Sequence, residues 1–92
     1  MPEVTVRITR LLADIAGVGR EISVSARSPA QALDELCTEI PALKIHIFED
    51  DGAVRRHVNI FLNGMIVRSG PGLDTPVSDG DEVAVVQAVS GG

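Results

Sequence analysis

A chain of 92 residues with 13 acidic and 8 basic side chains carries a formal net charge of −5. One domain of this size buries about 60–70% of its unfolded surface, so it folds alone but has no room for a deep site with its own nucleotide pocket. The acidic balance and the presence of only two aromatic residues, Phe48 and Phe61, argue against nucleic acid, and the single cysteine, Cys37, excludes an intrachain disulfide framework or a four-thiolate cluster.

Met1-Pro2-Glu3-Val4 lacks the basic and apolar regions of a signal peptide, and no apolar run approaches a membrane span, so the cytosol is the expected compartment. Val4, Val6 and Ile8 alternate with Thr5, Arg7 and Thr9, the period of a strand with one buried face. Residues 10–20 read as a connection whose Leu11, Leu12, Ile15 and Val18 plug the edge of the core, with bends at Gly17 and Gly19. Ile22 and Val24 form the second alternating strand, a hairpin partner for the first.

Ser28-Pro29-Ala30-Gln31 opens a helix, with Ser28 as N-cap, Pro29 at the first helical position and Gln31 closing a capping box. Leu33, Leu36, Cys37 and Ile40 then recur on one face, and Pro41 ends the helix. Leu43, Ile45, Ile47 and Phe48 suggest a short helical turn before the solvated turn Glu49-Asp50-Asp51-Gly52. Val58, Ile60 and Leu62 alternate with Asn59, Phe61 and Asn63 as a third strand, and Asn63-Gly64 is a strong hairpin turn with Met65, Ile66 and Val67 as its return. Residues 69–81 read as loop pinned by Leu73 and Val77, and Asp79-Gly80 leads into the last strand, Glu82–Val86. Strands, helix, then strands give an α+β fold, a mixed sheet with one main helix on one face. The last strand is expected at the centre beside the first, the ubiquitin-like β-grasp, with residues 1–87 as the domain and 88–92 as a flexible tail.

Two features of the last strand invite a functional reading. The sequence closes on Val89-Ser90-Gly91-Gly92, which is either a frayed terminus or a bare carboxylate on a segment slim enough to thread a partner's channel. With Val58, Ile60 and Leu62 turned inward, Phe61 points to the opposite face, and Val86 is opposite in parity to Val83 and Val85. The two are therefore candidates for an exposed partner-docking patch, the alternative for Phe61 being burial under a loop. Cys37, on the apolar helix stripe, reads as a structural thiol. His46 and His57 with Asp50 and Asp51 lack metal-ligand spacing, so no metal site is expected. Gly17-Val18-Gly19 and Gly70-Pro71-Gly72 lack the rest of a nucleotide fingerprint and read as turns. Arg55-Arg56 reads as a solvated pair.

Val58-Asn59-Ile60-Phe61-Leu62-Asn63-Gly64, Val67-Arg68, Leu73-Asp74-Thr75-Pro76-Val77, Asp79-Gly80-Asp81-Glu82-Val83 and Ala88-Val89-Ser90-Gly91-Gly92 together resemble the ubiquitin-like sulfur carrier family. That family includes the small subunit of molybdopterin synthase, the thiamine-pathway sulfur carrier and the actinobacterial cysteine-biosynthesis carrier. The likeness spans the whole chain and is most specific in its second half. The approach Arg55-Arg56-His57-Val58-Asn59-Ile60 and the ending Ala88 to Gly92 look most like the cysteine-biosynthesis branch, from which the chain departs at Ser90, where a small apolar residue is common.

The resemblance implies a protein cosubstrate with no catalytic residue and no bound cofactor. An ATP-using, ubiquitin-activating-like adenylyltransferase and sulfurtransferase would adenylate the Gly92 carboxylate, and sulfur would displace AMP to leave a thiocarboxylate. The sulfur would then pass to an accepting synthase, such as a cysteine synthase, with a metalloprotease releasing product. Val89, Ser90 and Gly91 would supply access, since five extended residues reach about 17 Å at roughly 3.4 Å each. Three other roles stay open: the small subunit of molybdopterin synthase, a protein modifier conjugated through Gly92, and a plain β-grasp interaction domain.

Overall fold

The structure, a computed structural model, describes residues 1–67 and 70–87. Its strands are β1 (Glu3–Ile8), β2 (Glu21–Ser25), β3 (Val58–Leu62), β4 (Met65–Ile66) and β5 (Glu82–Gln87), and its helices are α1 (Arg10–Ala16), α2 (Pro29–Glu39) and α3 (Lys44–Ile47). The five strands form one sheet in the order β2-β1-β5-β3-β4. β1 runs antiparallel to β2 and parallel to β5, and β3 runs antiparallel to both β5 and β4. The last strand thus occupies the centre beside the first, as the alternation and turn chemistry predict, and the topology is the β-grasp.

One face of the sheet makes the core. Val4, Val6 and Ile8 of β1, Val83 and Val85 of β5, and Val58 and Ile60 of β3 are all at most 1% exposed. They pack with Leu33 and Leu36 of α2 and with Leu12, Leu43 and Ile47, a largely aliphatic interior that also takes in Cys37. Ser28 caps α2, its Oγ accepting from the Gln31 amide at 3.1 Å, but Gln31 Oε1 accepts from the Arg27 amide at 2.7 Å. The reciprocal bond of the predicted box is therefore shifted one residue upstream. After α2 the chain makes a 3-10 turn at Pro41–Leu43 and then α3, the expected helical turn. A second 3-10 turn at Gly70–Asp74 interrupts the predicted loop, and Val77 is buried.

Residues 10–20 correct the sequence reading. They contain α1, opened by Thr9, whose Oγ1 accepts from the Leu12 amide at 3.2 Å, and closed by Gly17 in the left-handed conformation at φ 69°. Only Leu12 and Ala13 of this helix are buried; Leu11, Ile15 and Val18 are 59%, 43% and 38% exposed and plug nothing.

Two turns lock the central strand. Asn63 and Gly64 take φ 48° and 87°, the signature of a type I′ hairpin. Asn63 donates its amide to Glu82 O at 2.9 Å, and its Oδ1 accepts from the Glu82 amide at 2.9 Å, so the hairpin is stitched to the start of β5. At the other turn, Asp79 Oδ1 accepts from the Glu3 amide and the Gly80 amide donates to Glu3 O, joining the start of β1. Asp81 Oδ2 accepts from the Ser78 amide at 2.8 Å. That bond, followed by the contact with Asn63, holds the Asp81 carboxyl below its ordinary range.

Replacing Asn63 with Ala should cost roughly 2 kcal/mol, the left-handed strain plus the lost bond. N63G, which relieves the strain, should lose less; chemical denaturation measures both. Because the folded pKa of Asp81 is depressed, its contribution is present above the unfolded pKa and is lost as pH falls through the folded value. Denaturation midpoints across an acid series should therefore fall less steeply for Asp81→Asn than for the wild type.

Candidate functional site

The second face of the sheet is set by register. Across the strands it carries Glu21 and Ser23, then Thr5 and Arg7, then Glu82, Ala84 and Val86, then Asn59 and Phe61, and finally Ile66. The face divides in two. Its β2-β1 half is polar: Arg7 pairs with Glu21 at 2.7 Å and with Glu82 at 3.3 Å, and Glu3 accepts from the hydroxyls of Ser23 and Ser25. Such exposed pairs add little stability; they define where the face is wet.

The other half is apolar. Phe61 stands opposite Ile66 on one side and Ala84 on the other, while Val86 lies opposite Asn59, one step along the same face. Phe61 is half-buried, whereas Val86 is 40% and Ile66 55% exposed. The two predicted docking residues are thus brought onto one patch, with Phe61 flanked by strand neighbours. Ile66 and Ala84 escaped the sequence reading. Ile66 had a usable signal, because a two-residue turn at Asn63-Gly64 fixes Phe61 opposite Ile66.

β5 is held on both sides almost to its end: Val85 faces Ile8 and Ile60, and Gln87 faces Val58. Arg7, Ile8, Thr9, Arg20, Ala84, Val85 and Val86 line a shallow groove of about 50 Å³ at this end. The candidate threading residues Val89, Ser90 and Gly91 and the candidate working end Gly92 lie outside the described residues; they follow from this end of the sheet.

The signals set aside in the sequence have clear places. Cys37 is 9% exposed, and burial, reinforced by Asp34 and opposed by Lys44, pushes its thiol up to about 11, so it stays protonated near neutral pH. Arg55 is half-buried and engaged: Nε donates to Ile45 O at 2.7 Å and Nη1 meets Glu49 at 2.9 Å, bracing the 49–53 turn. Gly17 is a helix cap, and Gly72 allows close approach to Val67, whose Cβ a new Cβ would meet at 3.2 Å. Among the described residues, no three His, Cys, Asp or Glu side chains converge to hold a metal, and no helix is long and apolar enough to cross a membrane.

Comparison with known proteins gives a consistent answer. The sequence profile of the ThiS family matches residues 6–92. Sulfur carrier protein CysO of Mycobacterium tuberculosis is 31% identical over 91 residues, spanning 97% of this chain and 98% of its own. Small archaeal modifier protein 1 of Haloferax volcanii is 36% identical over 88 residues, spanning 90% of this chain and 97% of its own. Its crystal structure superimposes with a TM-score of 0.85 at 32% identity, covering 98% of this chain and 99% of that one. A chain of the Amycolatopsis orientalis BexX/CysO complex superimposes with a TM-score of 0.82 at 26% identity, covering 97% and 99%. With a family profile matched over nearly its whole length, a β-grasp fold and relatives aligned end to end, the chain belongs to the ThiS family of ubiquitin-like sulfur carriers.

Proposed function

We propose that this chain is a sulfur carrier whose Gly92 carboxylate is adenylated by an ATP-using activating enzyme and converted to a thiocarboxylate. The sulfur would feed a biosynthetic synthase, with cysteine synthesis as the favoured pathway and the cytosol as the compartment. The observation that carries this reading is the position of β5. It is held between β1 and β3 up to Val85 and by β3 alone through Gln87, so the last described residues of the strand are fixed beside an apolar patch. A carboxylate is a poor electrophile, so adenylation must come first, and a partner can do this only if it grips the domain while the segment enters its site. The family match running through residue 92 supports placing the chemistry at Gly92, and the likeness to CysO supports the branch.

Docking falls to Phe61 and Val86, with Ile66 completing the patch. An aromatic anchor among aliphatic neighbours is a common centre of binding energy. The BexX/CysO complex supports a protein partner for such a fold. A second reading, a protein modifier joined to other proteins through Gly92, is favoured by the 36% identity to small archaeal modifier protein 1. Lysine-linked conjugates of the chain in cell lysates would support that reading.

Gly92→Ala should fold like the wild type yet gain sulfur roughly ten to a hundred times more slowly with its activating enzyme, because a new Cβ displaces the reacting carbon. Intact-mass kinetics measure this, and wild-type rates would refute the steric role. Phe61→Asp and Val86→Asp should each weaken binding to that enzyme by about 2 kcal/mol, roughly thirtyfold in Kd. Titration calorimetry beside thermal unfolding checks it; lost stability in Phe61→Asp with unchanged affinity in Val86→Asp would mean the patch is structural.

A further inference from the structure

Lysine and arginine differ sharply as acyl acceptors: a guanidinium stays protonated, whereas a lysine amine attacks a carbonyl carbon once neutral. Of the 8 basic side chains in these 92 residues, all but one are arginine. The exception is Lys44. It is exposed at the first position of α3, and no carboxylate among the described residues lies within ion-pair distance of it.

Lys44 also borders an open hollow of about 370 Å³ between α2, α3 and the 49–53 turn. Asp34, Cys37, Thr38, Phe48 and Gly52 complete its lining. Gly52 leaves one wall bare, since a Cβ there would meet nothing within 4 Å, and the Thr38 hydroxyl is turned back onto its own helix, donating to Asp34 O at 2.9 Å. Asp34 and Lys44 act on the Cys37 thiol in opposite senses, so carboxylate and amine share this hollow. The volume falls within the range of small-ligand sites and suits a narrow segment of small residues. Val89-Ser90-Gly91-Gly92 is such a segment.

We propose that Lys44 is the acceptor at which a second copy of this chain is joined by an isopeptide bond to Gly92, with the hollow seating the incoming Val89–Gly92 segment. The proposal rests on the reading that Gly92 is activated as an acyl adenylate, at the expense of ATP cleaved to AMP and pyrophosphate. The neutral Lys44 Nζ forms a C–N bond with the Gly92 carbonyl carbon. The C–O bond to the AMP phosphate breaks, AMP departs with that electron pair, and the proton lost from nitrogen passes to water or to the Asp34 carboxylate. Cys37, the other nucleophile in the hollow, is buried and protonated, and the acceptor role falls to the amine.

The test bypasses the activating enzyme, so its failure is distinct from failure of the adenylation reading. A donor chain bearing a C-terminal 2-mercaptoethanesulfonate thioester is mixed with wild-type, Lys44→Arg or Thr38→Trp acceptor at mildly alkaline pH, with a short lysine peptide as a control that the thioester acylates amines. Trypsin cuts after Arg27, Arg55 and Arg68, so the expected linkage is a branched peptide joining residues 28–55 to residues 69–92. K44R should form at least about tenfold less dimer, since arginine cannot supply a neutral amine, and T38W should reduce the yield severalfold by filling the hollow. Circular dichroism should report both variants folded. Linkage through the Met1 α-amine at wild-type yield in K44R, or hydrolysis without dimer while the control peptide is acylated, would overturn the acceptor assignment. Unchanged yield in T38W would overturn the seat.

Discussion

The parallel pairing of β1 with β5 is the constraint on which the rest of this molecule depends. Thr5 to Ile8 run beside Glu82 to Val85 in the same direction, so the first and last strands point toward the same end of the sheet. Parallel neighbours cannot be joined by a tight turn, and everything between them, including α2 and the β3-β4 hairpin, serves as the crossover. The pairing buries Val4, Val6, Val83 and Val85 together on one face. It also decides where the chain leaves the domain, because β3 closes on the other side of β5 and removes its freedom to swing. Under the proposed reading, in which the terminal carboxylate is offered to another protein, that fixed strand supplies the base for delivery.

The same sheet separates two tasks by parity. Inward residues of β1, β3 and β5 form an aliphatic core with no buried charge. Outward residues split into a polar half, organised by Arg7 between Glu21 and Glu82, and an apolar half around Phe61, Ile66 and Val86. Val86, in the apolar half, lies one residue before the end of β5, with Phe61 and Ile66 farther back along the same face. The turns that secure β5 are polar: Asn63 clasps Glu82, and Asp79 with Gly80 clasps Glu3. Hairpin, central strand and first strand are thereby locked in one register.

Much of this was legible in the sequence because local chemistry and global fold agree. Alternation in Val4-Val6-Ile8 and Val58-Ile60, the Ser28 cap, and the Asn63-Gly64 turn each have one good structural solution, and the fold uses it. The missed element is α1. At seven residues it is too short to form on its own, given the cost of nucleation, and its Thr9 cap and Gly17 stop were hidden between two strand patterns. Its apolar residues misled in turn, since the helical period places only Leu12 and Ala13 inward. For the candidate site, parity alone put Phe61 and Val86 on the outer face. Their proximity could not be read locally, because it requires β3 to lie beside β5. The shifted capping bond, donated by the Arg27 amide to Gln31 Oε1, was also beyond the sequence, since it depends on the path by which β2 enters α2.

The most direct test of the sulfur-carrier reading is to locate the sulfur. The chain would be treated with its activating enzyme, ATP and a sulfur donor, digested with trypsin, and the peptide spanning residues 69–92 fragmented by mass spectrometry. The expected result is one sulfur-for-oxygen exchange confined to the terminal residue, Gly92, with Cys37 unchanged. Sulfur added to Cys37 as a persulfide, or an unaltered 69–92 peptide alongside ATP consumption, would contradict it.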